Sequence, residues 1–172
     1  MKCRGVSPVI ATVLLLVITV SLISVLAAFT IPFIKNSLEP GEDCFKALNK
    51  LNLGGTPYTC YSNGTTLRTG ISVQVGDIDI QGFKLILYSG GTADPINILP
   101  DTSSAQVRML GSDFNTPLQI PAKGGLKTYV VSGTYTKVEV APILASGTCE
   151  KSDTFEIVQC RDAIINANLT QY

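Results

Sequence analysis

The feature that most constrains this chain is a long run without charge near its N-terminus. Thirty consecutive residues between Arg4 and Lys35 contain no Asp, Glu, Lys or Arg, and the part from Val9 to Phe33 is almost entirely apolar. As an α-helix this part would be about 37 Å long, more than the roughly 30 Å hydrocarbon core of a bilayer. A helix that is apolar on every side must be buried in lipid or in other protein. The sequence therefore predicts a membrane-spanning or protein-buried helix.

The polar residues inside this run all carry hydroxyl groups: Thr12, Thr19, Ser21, Ser24 and Thr30. Such hydroxyls can donate to backbone carbonyls of their own helix. Pro32 predicts a kink or the end of the helix. The run is longer than the apolar core of a secretory signal peptide, about 7 to 15 residues, which favours a helix that is retained. Lys2 and Arg4 precede it and predict a cytoplasmic N-terminus with the rest of the chain outside.

The residues before the apolar run form a more specific pattern. Met1-Lys2-Cys3-Arg4-Gly5 is followed directly by Val6-Ser7-Pro8-Val9-Ile10-Ala11. This short basic leader ending in Arg-Gly, followed by a long apolar helix, resembles the N-terminus of archaeal type IV pilins, where the leader is a class III signal peptide. The likeness covers about residues 1 to 34, a fifth of the chain. Bacterial relatives carry a glutamate at the fifth mature position, which is Ile10 here, so docking by charge pairing at that position is unsupported.

The resemblance implies a structural protein rather than an enzyme. It implies that a peptidase recognises Arg4 and Gly5 and cuts between Gly5 and Val6, and that the retained helix builds a helical homopolymer. The residues assigned to polymerisation are Pro8, Val9, Ile10, Leu14, Leu15, Leu16, Val17, Leu22, Leu26 and Phe29. The implied partners are other copies of the chain, the prepilin peptidase, the assembly ATPase with its membrane platform, and the membrane before assembly. The implied location is a cell-surface filament that serves attachment.

Two alternatives remain open on the sequence. The chain could be a minor pilin or adhesin of the same machinery, whose outer domain binds a surface, a sugar or a partner cell. It could also be an ordinary single-pass membrane protein with an extracellular binding domain that never polymerises. A mature N-terminus at Val6 separates the first two interpretations from the third.

Beyond the apolar run the composition changes abruptly, so the chain is divided into 1–5 (leader), 6–38 (apolar helix) and 39–172 (outer domain). Pro40-Gly41 predicts a turn at this boundary. Asp43 to Leu51 has apolar residues at helical spacing and could extend the helix. The outer domain is long enough for its own core, and no stretch beyond residue 55 has the pattern of an amphipathic helix.

The outer domain shows the period-two alternation of β-strands. Gly and Pro punctuate the candidate strands at intervals typical of hairpins, and these strands are 71–75, 78–80, 83–87, 105–110, 126–132, 134–144 and 154–160. The predicted fold class is α+β, a long N-terminal helix followed by an antiparallel β-sandwich or barrel-like domain.

Four of the five cysteines lie in the outer domain: Cys44, Cys60, Cys149 and Cys160. Outside the cytoplasm this even number predicts two disulfides, for which three connectivities exist. We expect the local pairing, Cys44 with Cys60 and Cys149 with Cys160. Closing each of these short loops contributes about 3 kcal/mol in the chain-entropy model. A four-thiolate zinc site normally shows C-x-x-C pairs, which are absent here.

Two N-glycosylation sequons occur, Asn63-Gly64-Thr65 and Asn168-Leu169-Thr170. We expect both to lie in a loop or in the C-terminal tail, where glycosylation machinery could reach them.

Motifs of catalysis are missing from the sequence. The chain has no histidine, which removes the usual general base and most zinc chemistry. The carboxylates of Asp77 and Asp79 are expected on one solvated face of a strand. Thirteen basic residues balance thirteen acidic ones without forming a stripe, which argues against nucleic-acid binding. No cofactor and no metal site is expected.

Overall fold

A computed structural model describes residues 8–62 and 64–171, with side chains at 9–34, 41–62 and 64–171. The chain divides into two compact units, and the division falls after Gly41. Residues 42–172 are called the head below.

The first helix, α1, extends from Pro8 to Ala47. Helical backbone continues through Pro32 and through Pro40-Gly41, so the turn predicted at Pro40-Gly41 is wrong. A proline removes only one hydrogen bond of the ladder, and the neighbouring i to i−4 bonds can carry the helix past it. The helical spacing seen after Asp43 continues α1 as far as Ala47. In this last part Glu42 and Lys46 form an i, i+4 ion pair at 2.8 Å, which favours the helix slightly.

The head contains two β-sheets. Sheet A is built from β1 (Leu51–Leu53), β2 (Cys60–Tyr61), β3 (Arg68–Val75), β6 (Val107–Met109), β7 (Leu126–Ser132) and β11 (Val158–Gln159). Sheet B is built from β4 (Gly82–Ser89), β5 (Thr92–Ile98), β8 (Lys137–Leu144), β9 (Gly147–Thr148) and β10 (Asp153–Glu156). The order is β11-β2-β3-β7-β6 in sheet A, with β1 also beside β3, and β10-β8-β4-β5 in sheet B, with β9 beside β8. The described pairings are antiparallel except that of β11 with β2.

The two sheets share one hydrophobic core, as period-two alternation requires. Sheet A contributes residues such as Ile71 and Val73, and sheet B contributes Leu85 and Val140, all of them fully buried. The rings of Phe83 and Tyr129 meet edge to face at 5.3 Å between centroids, which joins β4 to β7 across the core. The predicted α+β class with a β-sandwich head is confirmed, with the parallel β2–β11 pair as an addition.

The outer face of sheet A is covered by a second helix that the sequence did not predict. Helix α2 extends from Ala163 to Thr170 and begins at Asp162, whose carboxylate accepts from the Ile164 N–H at 2.7 Å. Leu169 is fully buried beneath it in a small cluster with Val130 and the two cysteines of one disulfide. The expectation of no helix beyond residue 55 is therefore wrong. A helix of only two turns needs one buried side chain and a cap, and it leaves little periodicity in the sequence.

Several strand assignments also change. Residues 154–160, predicted as one strand, form β10 of sheet B and β11 of sheet A. Residues 78–80, predicted as a strand, lie in a loop, although Ile78 and Ile80 do pack against the core. Conversely, β5 was not predicted, because Pro95 interrupts it and its side chains are largely exposed. A strand at the edge of a sheet tolerates proline, since one side of its backbone has no partner strand.

The disulfides connect distant parts of the head, so the predicted local pairing is wrong. Cys44 is bonded to Cys149 and Cys60 to Cys160, with sequence separations of 105 and 100 residues. The parallel pairing of β2 with β11 places Val158 opposite Cys60 and brings Cys160 near it. The expectation rested on short distances along the chain, but the sheet topology decides which cysteines meet.

Candidate functional site

The apolar part of α1 is the candidate functional element. From Val9 to Ile34 it is long and apolar enough to cross a membrane, and none of it is buried within the chain. Seventeen Val, Ile, Leu and Phe side chains in this part are exposed. At about 1.5–3 kcal/mol for each buried side chain, hiding them from water would gain tens of kcal/mol, several times the net stability of a typical domain. This helix therefore requires lipid or protein around it.

Nine of the ten residues assigned to polymerisation have described side chains, and all nine are exposed on α1. Their exposed fractions lie between 59% for Val17 and 76% for Phe29. The tenth, Pro8, begins the helix. Leu14, Leu15, Leu16 and Val17 are consecutive, and at 100° per residue they cover most of the helix circumference. The apolar surface therefore surrounds the helix.

Four of the five hydroxyl groups predicted to bond within this helix do so. Thr12 donates to the Val9 carbonyl and Thr19 to the Leu16 carbonyl, both at 2.9 Å. Ser21 and Ser24 likewise donate to carbonyls four residues earlier. No partner outside the helix is needed for these four groups, so they can enter an apolar environment at little cost.

The residues predicted for peptidase recognition and cleavage, Arg4, Gly5 and Val6, lie outside the described residues. The same is true of Asn63, the first sequon. Next to it in the sequence, the Ser62 hydroxyl donates to the Thr66 carbonyl at 2.8 Å and accepts from the Arg68 N–H at 2.9 Å. The following residues, Gly64 and Thr65, are exposed.

The second sequon lies on α2 and not in a loop or tail. Asn168 is half-buried, and its Nδ2 donates to the Tyr58 hydroxyl at 3.4 Å. The atom to which a glycan would be attached therefore already faces a neighbouring segment of the head.

A cleft of about 450 Å³ in the head is lined by charged side chains. Its lining combines three aspartates with three lysines: Asp43, Asp77, Asp79, Lys46, Lys50 and Lys123. Lys123 Nζ lies 2.8 Å from Asp79 and 4.0 Å from Asp77, and both aspartates are largely exposed. The hydrogen bond to Asp79 raises the pKa of Lys123, so this lysine stays protonated near neutral pH and is unsuited to act as a base.

The other resolved pKa changes also move away from neutrality. Hydrogen bonds from lysines lower the pKa of Glu42 and of Glu139, and burial raises the pKa of Tyr129 and of Tyr135. General acid–base catalysis needs the opposite, a pKa moved towards the working pH. Within the described residues no group of three or more His, Cys, Asp or Glu side chains could hold a metal ion.

Two polar side chains that the sequence analysis did not single out bind the backbone of β1, the strand that follows α1. Ser152 Oγ accepts from the Leu51 N–H at 3.3 Å and donates to the Leu51 carbonyl at 3.0 Å, and Asp153 Oδ2 accepts from the Leu53 N–H at 2.7 Å. These residues are about 100 positions apart in the chain. Ser-Asp pairs are common in loops, so the sequence contained no signal for these contacts.

Comparison with known proteins identifies the N-terminal segment. Residues 4–37 match the family described as archaeal type IV pilin, N-terminal. The match covers about a fifth of the 172 residues. No curated protein and no solved structure matches the chain significantly. The family suspected from the leader and the apolar run is thus confirmed for this segment.

Proposed function

From the archaeal type IV pilin segment at residues 4–37, we propose that this chain is a structural pilin subunit. It polymerises through α1 into a type IV pilus-like surface filament that serves attachment. The observation that carries the proposal is the ring of seventeen exposed apolar side chains on this helix.

The apolar surface of α1 suits two successive environments. Before assembly, lipid covers it and the subunit is a single-pass membrane protein with its N-terminus in the cytoplasm. After assembly, neighbouring copies of the same helix cover it in a filament core. Because lipid solvates these side chains as well as protein does, the hydrophobic effect gives little net drive for extraction from the membrane. An assembly ATPase and a membrane platform would supply the work.

Processing is the next part of the proposal. The family match begins at Arg4, the residue that precedes the proposed recognition glycine. A prepilin peptidase cuts between Gly5 and Val6, which removes the positive charges of Lys2 and Arg4. The mature chain then begins with uncharged residues up to Lys35.

N-terminal sequencing of protein from sheared surface filaments tests this proposal. The expected sequence begins at Val6, and Gly5→Leu should retain Met1 or Lys2 and remain in the membrane. A matched control, Gly41→Ala, changes a glycine with open space around it and should be processed normally. An unprocessed chain that never appears in filaments would contradict the proposal and favour a simple membrane anchor. A processed chain present only at trace level would indicate a minor pilin or adhesin.

N-glycosylation at Asn63 and Asn168 belongs to the same proposal, since the head is displayed outside the cell. A glycan on Asn168 would disturb the hydrogen bond to Tyr58, so its attachment would have to precede the packing of α2. Peptide masses from filaments test both sites, and unmodified masses at both would contradict this part.

A further inference from the structure

We infer that the end of α1, strand β1 and residues 149–153 form one load-bearing joint, and that the Cys44–Cys149 disulfide is its covalent part. The load is the tension of the filament proposed above, so this inference rests on that function. All residues of the joint belong to the head. Its purpose would be to pass a pull on the helix into both sheets instead of peeling β1 away.

The covalent part lies in the last turns of α1. Cys44 is half-buried and bonded to Cys149, which directly follows β9 of sheet B. Three residues after Cys44, Ala47 is almost fully buried. The last turns of the helix are therefore bonded covalently to the residue that follows β9, and a pull that separates packed surfaces would not break this bond.

The non-covalent part holds β1, which begins four residues after α1 ends. On one side β1 pairs with β3 of sheet A, from Leu51 opposite Val75 to Leu53 opposite Val73. On its other side the Ser152 and Asp153 side chains bind the Leu51 and Leu53 backbone. Asp153 is the first residue of β10, so β1 is attached to both sheets.

Without the disulfide, this attachment would be weak against a pull from the helix. A strand of three residues has few ladder bonds, and each such bond contributes only about 1 kcal/mol net. Strands pulled from one end lose these bonds one after another. A covalent link placed before β1, at Cys44, takes the tension before it reaches Leu51.

The second disulfide provides a matched control. Cys60–Cys160 encloses a loop of similar length, but it joins β2 to the segment just before α2. Each disulfide also has its own exposed trypsin sites nearby. Lys46 and Lys50 follow Cys44, and Arg161 follows Cys160. Because trypsin needs locally unfolded backbone, cutting at each site reports the opening of that region.

The first experiment digests the full chain in detergent micelles with trypsin and follows the cut sites by mass spectrometry. Cys44→Ser/Cys149→Ser should raise the rate of cutting at Lys46 and Lys50 at least about threefold and leave Arg161 little changed. Cys60→Ser/Cys160→Ser should show the reverse. Near-ultraviolet circular dichroism verifies that both variants are folded. Unchanged cutting at Lys46 and Lys50 in the first variant, or equal increases at all sites in both, would overturn the inference. If the first variant does not fold, Ser152→Ala with both disulfides intact should raise cutting at Lys46 and Lys50 in its place, and no rise would overturn it.

The second experiment applies load. Cells bearing filaments of wild-type or variant subunits are treated with trypsin during graded shear flow. Cutting at Lys46 and Lys50 should increase with flow in Cys44→Ser/Cys149→Ser and stay constant in the wild type. An equal response in the two chains, including none in either, would overturn the inference. If wild-type subunits form no filaments, the proposed function fails, while the micelle digestion still decides whether the disulfide closes the joint.

Discussion

Among single residues, Gly70 of β3 is a position where the packing of the head leaves no room for a side chain. A Cβ placed there would overlap the Tyr58 carbonyl oxygen and lie 2.8 Å from Leu169 Cδ2. The backbone of Tyr58 and the side chain of Leu169 in α2 therefore both pack directly against this glycine. The absence of a side chain is what allows the segment around Tyr58 and helix α2 to cover sheet A.

Gly70→Ala is expected to destabilise the head by roughly 2 kcal/mol, because the backbone of Tyr58 must move. Thermal unfolding of the full chain in micelles measures the change. Gly64→Ala is the control, since nothing lies within 4 Å of its Cβ position, and its effect should stay within about 0.5 kcal/mol. Equal melting temperatures for the two variants would contradict the packing described for Gly70.

Arg108 of β6 holds the C-terminal end of α2. It is fully buried, and its Nη2 donates to the Leu169 carbonyl at 2.8 Å and to the Gln171 carbonyl at 2.6 Å. These carbonyls lie at the C-terminal end of α2, where a positive charge is favourable.

Arg108→Ala should therefore lower stability by about 3 kcal/mol and release α2 first. Faster amide hydrogen exchange in residues 163–171 would show the release. Arg161→Ala, an exposed arginine just before the same helix, should leave this exchange rate nearly unchanged. If both variants exchange alike, Arg108 does not hold the helix.

Among the secondary-structure elements, sheet B carries a charged group on its outer face that makes stability depend on pH. Glu139 of β8 is only 7% exposed, and its carboxylate accepts from Lys137 at 2.9 Å, from Lys151 at 3.2 Å and from the Tyr88 hydroxyl at 3.0 Å. The hydrogen bond from Lys137 lowers the pKa of Glu139 below its ordinary value of 4.5, against the opposing effect of burial.

A lowered pKa in the folded state means that ionised Glu139 stabilises the fold above the ordinary value of 4.5, and that this contribution is lost as the pH falls through the folded-state pKa. Glu139→Gln should consequently lower the melting temperature at pH 7, and the difference from the wild type should shrink below pH 4.5. Glu156→Gln, at an exposed position of neighbouring β10, should show a smaller difference. A Glu139→Gln deficit that persists unchanged at low pH would contradict the assignment.

The elements also show what sequence can and cannot predict. The apolar helix and strands such as 126–132 could be predicted from local patterns. The helix is apolar on every face, and in the strand apolar residues recur at every second position. In residues 78–80 the two isoleucines pack against the core as the alternation predicts, but the segment is not assigned as a strand. Strand β5 and helix α2 could not be predicted from the sequence pattern. An exposed edge strand and a two-turn helix each bury few apolar residues, so they leave little periodicity.

The candidate site divides in the same way. The exposed helix could be predicted from thirty uncharged residues, because solvation of a helix depends on its own side chains. The joint could not be predicted, since Cys44 meets Cys149, and Ser152 meets Leu51, only through the pairing of distant strands. The sequence indicates that the cysteines form disulfides, but the strand topology determines which cysteines are paired.

For the whole molecule, the division after Gly41 predicts that the head folds without the apolar helix. Its core lies between the two sheets and includes no residue from the first unit. A chain of residues 42–172 with both disulfides oxidised should be a soluble monomer with a cooperative melting transition. Gel filtration and circular dichroism measure this. Aggregation without a transition would contradict the division, and filaments formed by the head alone would contradict polymerisation through α1.

The connectivity of the disulfides has a consequence for how the chain is made. In the proposed topology, with the head outside the membrane, Cys44 and Cys60 would emerge early, and their partners would follow about a hundred residues later. During that interval the two early thiols have only each other, and an oxidising enzyme would join them in a non-native loop. Correct pairing therefore depends either on keeping both thiols reduced until the last strands of the head emerge, or on an isomerase that reshuffles the early bond.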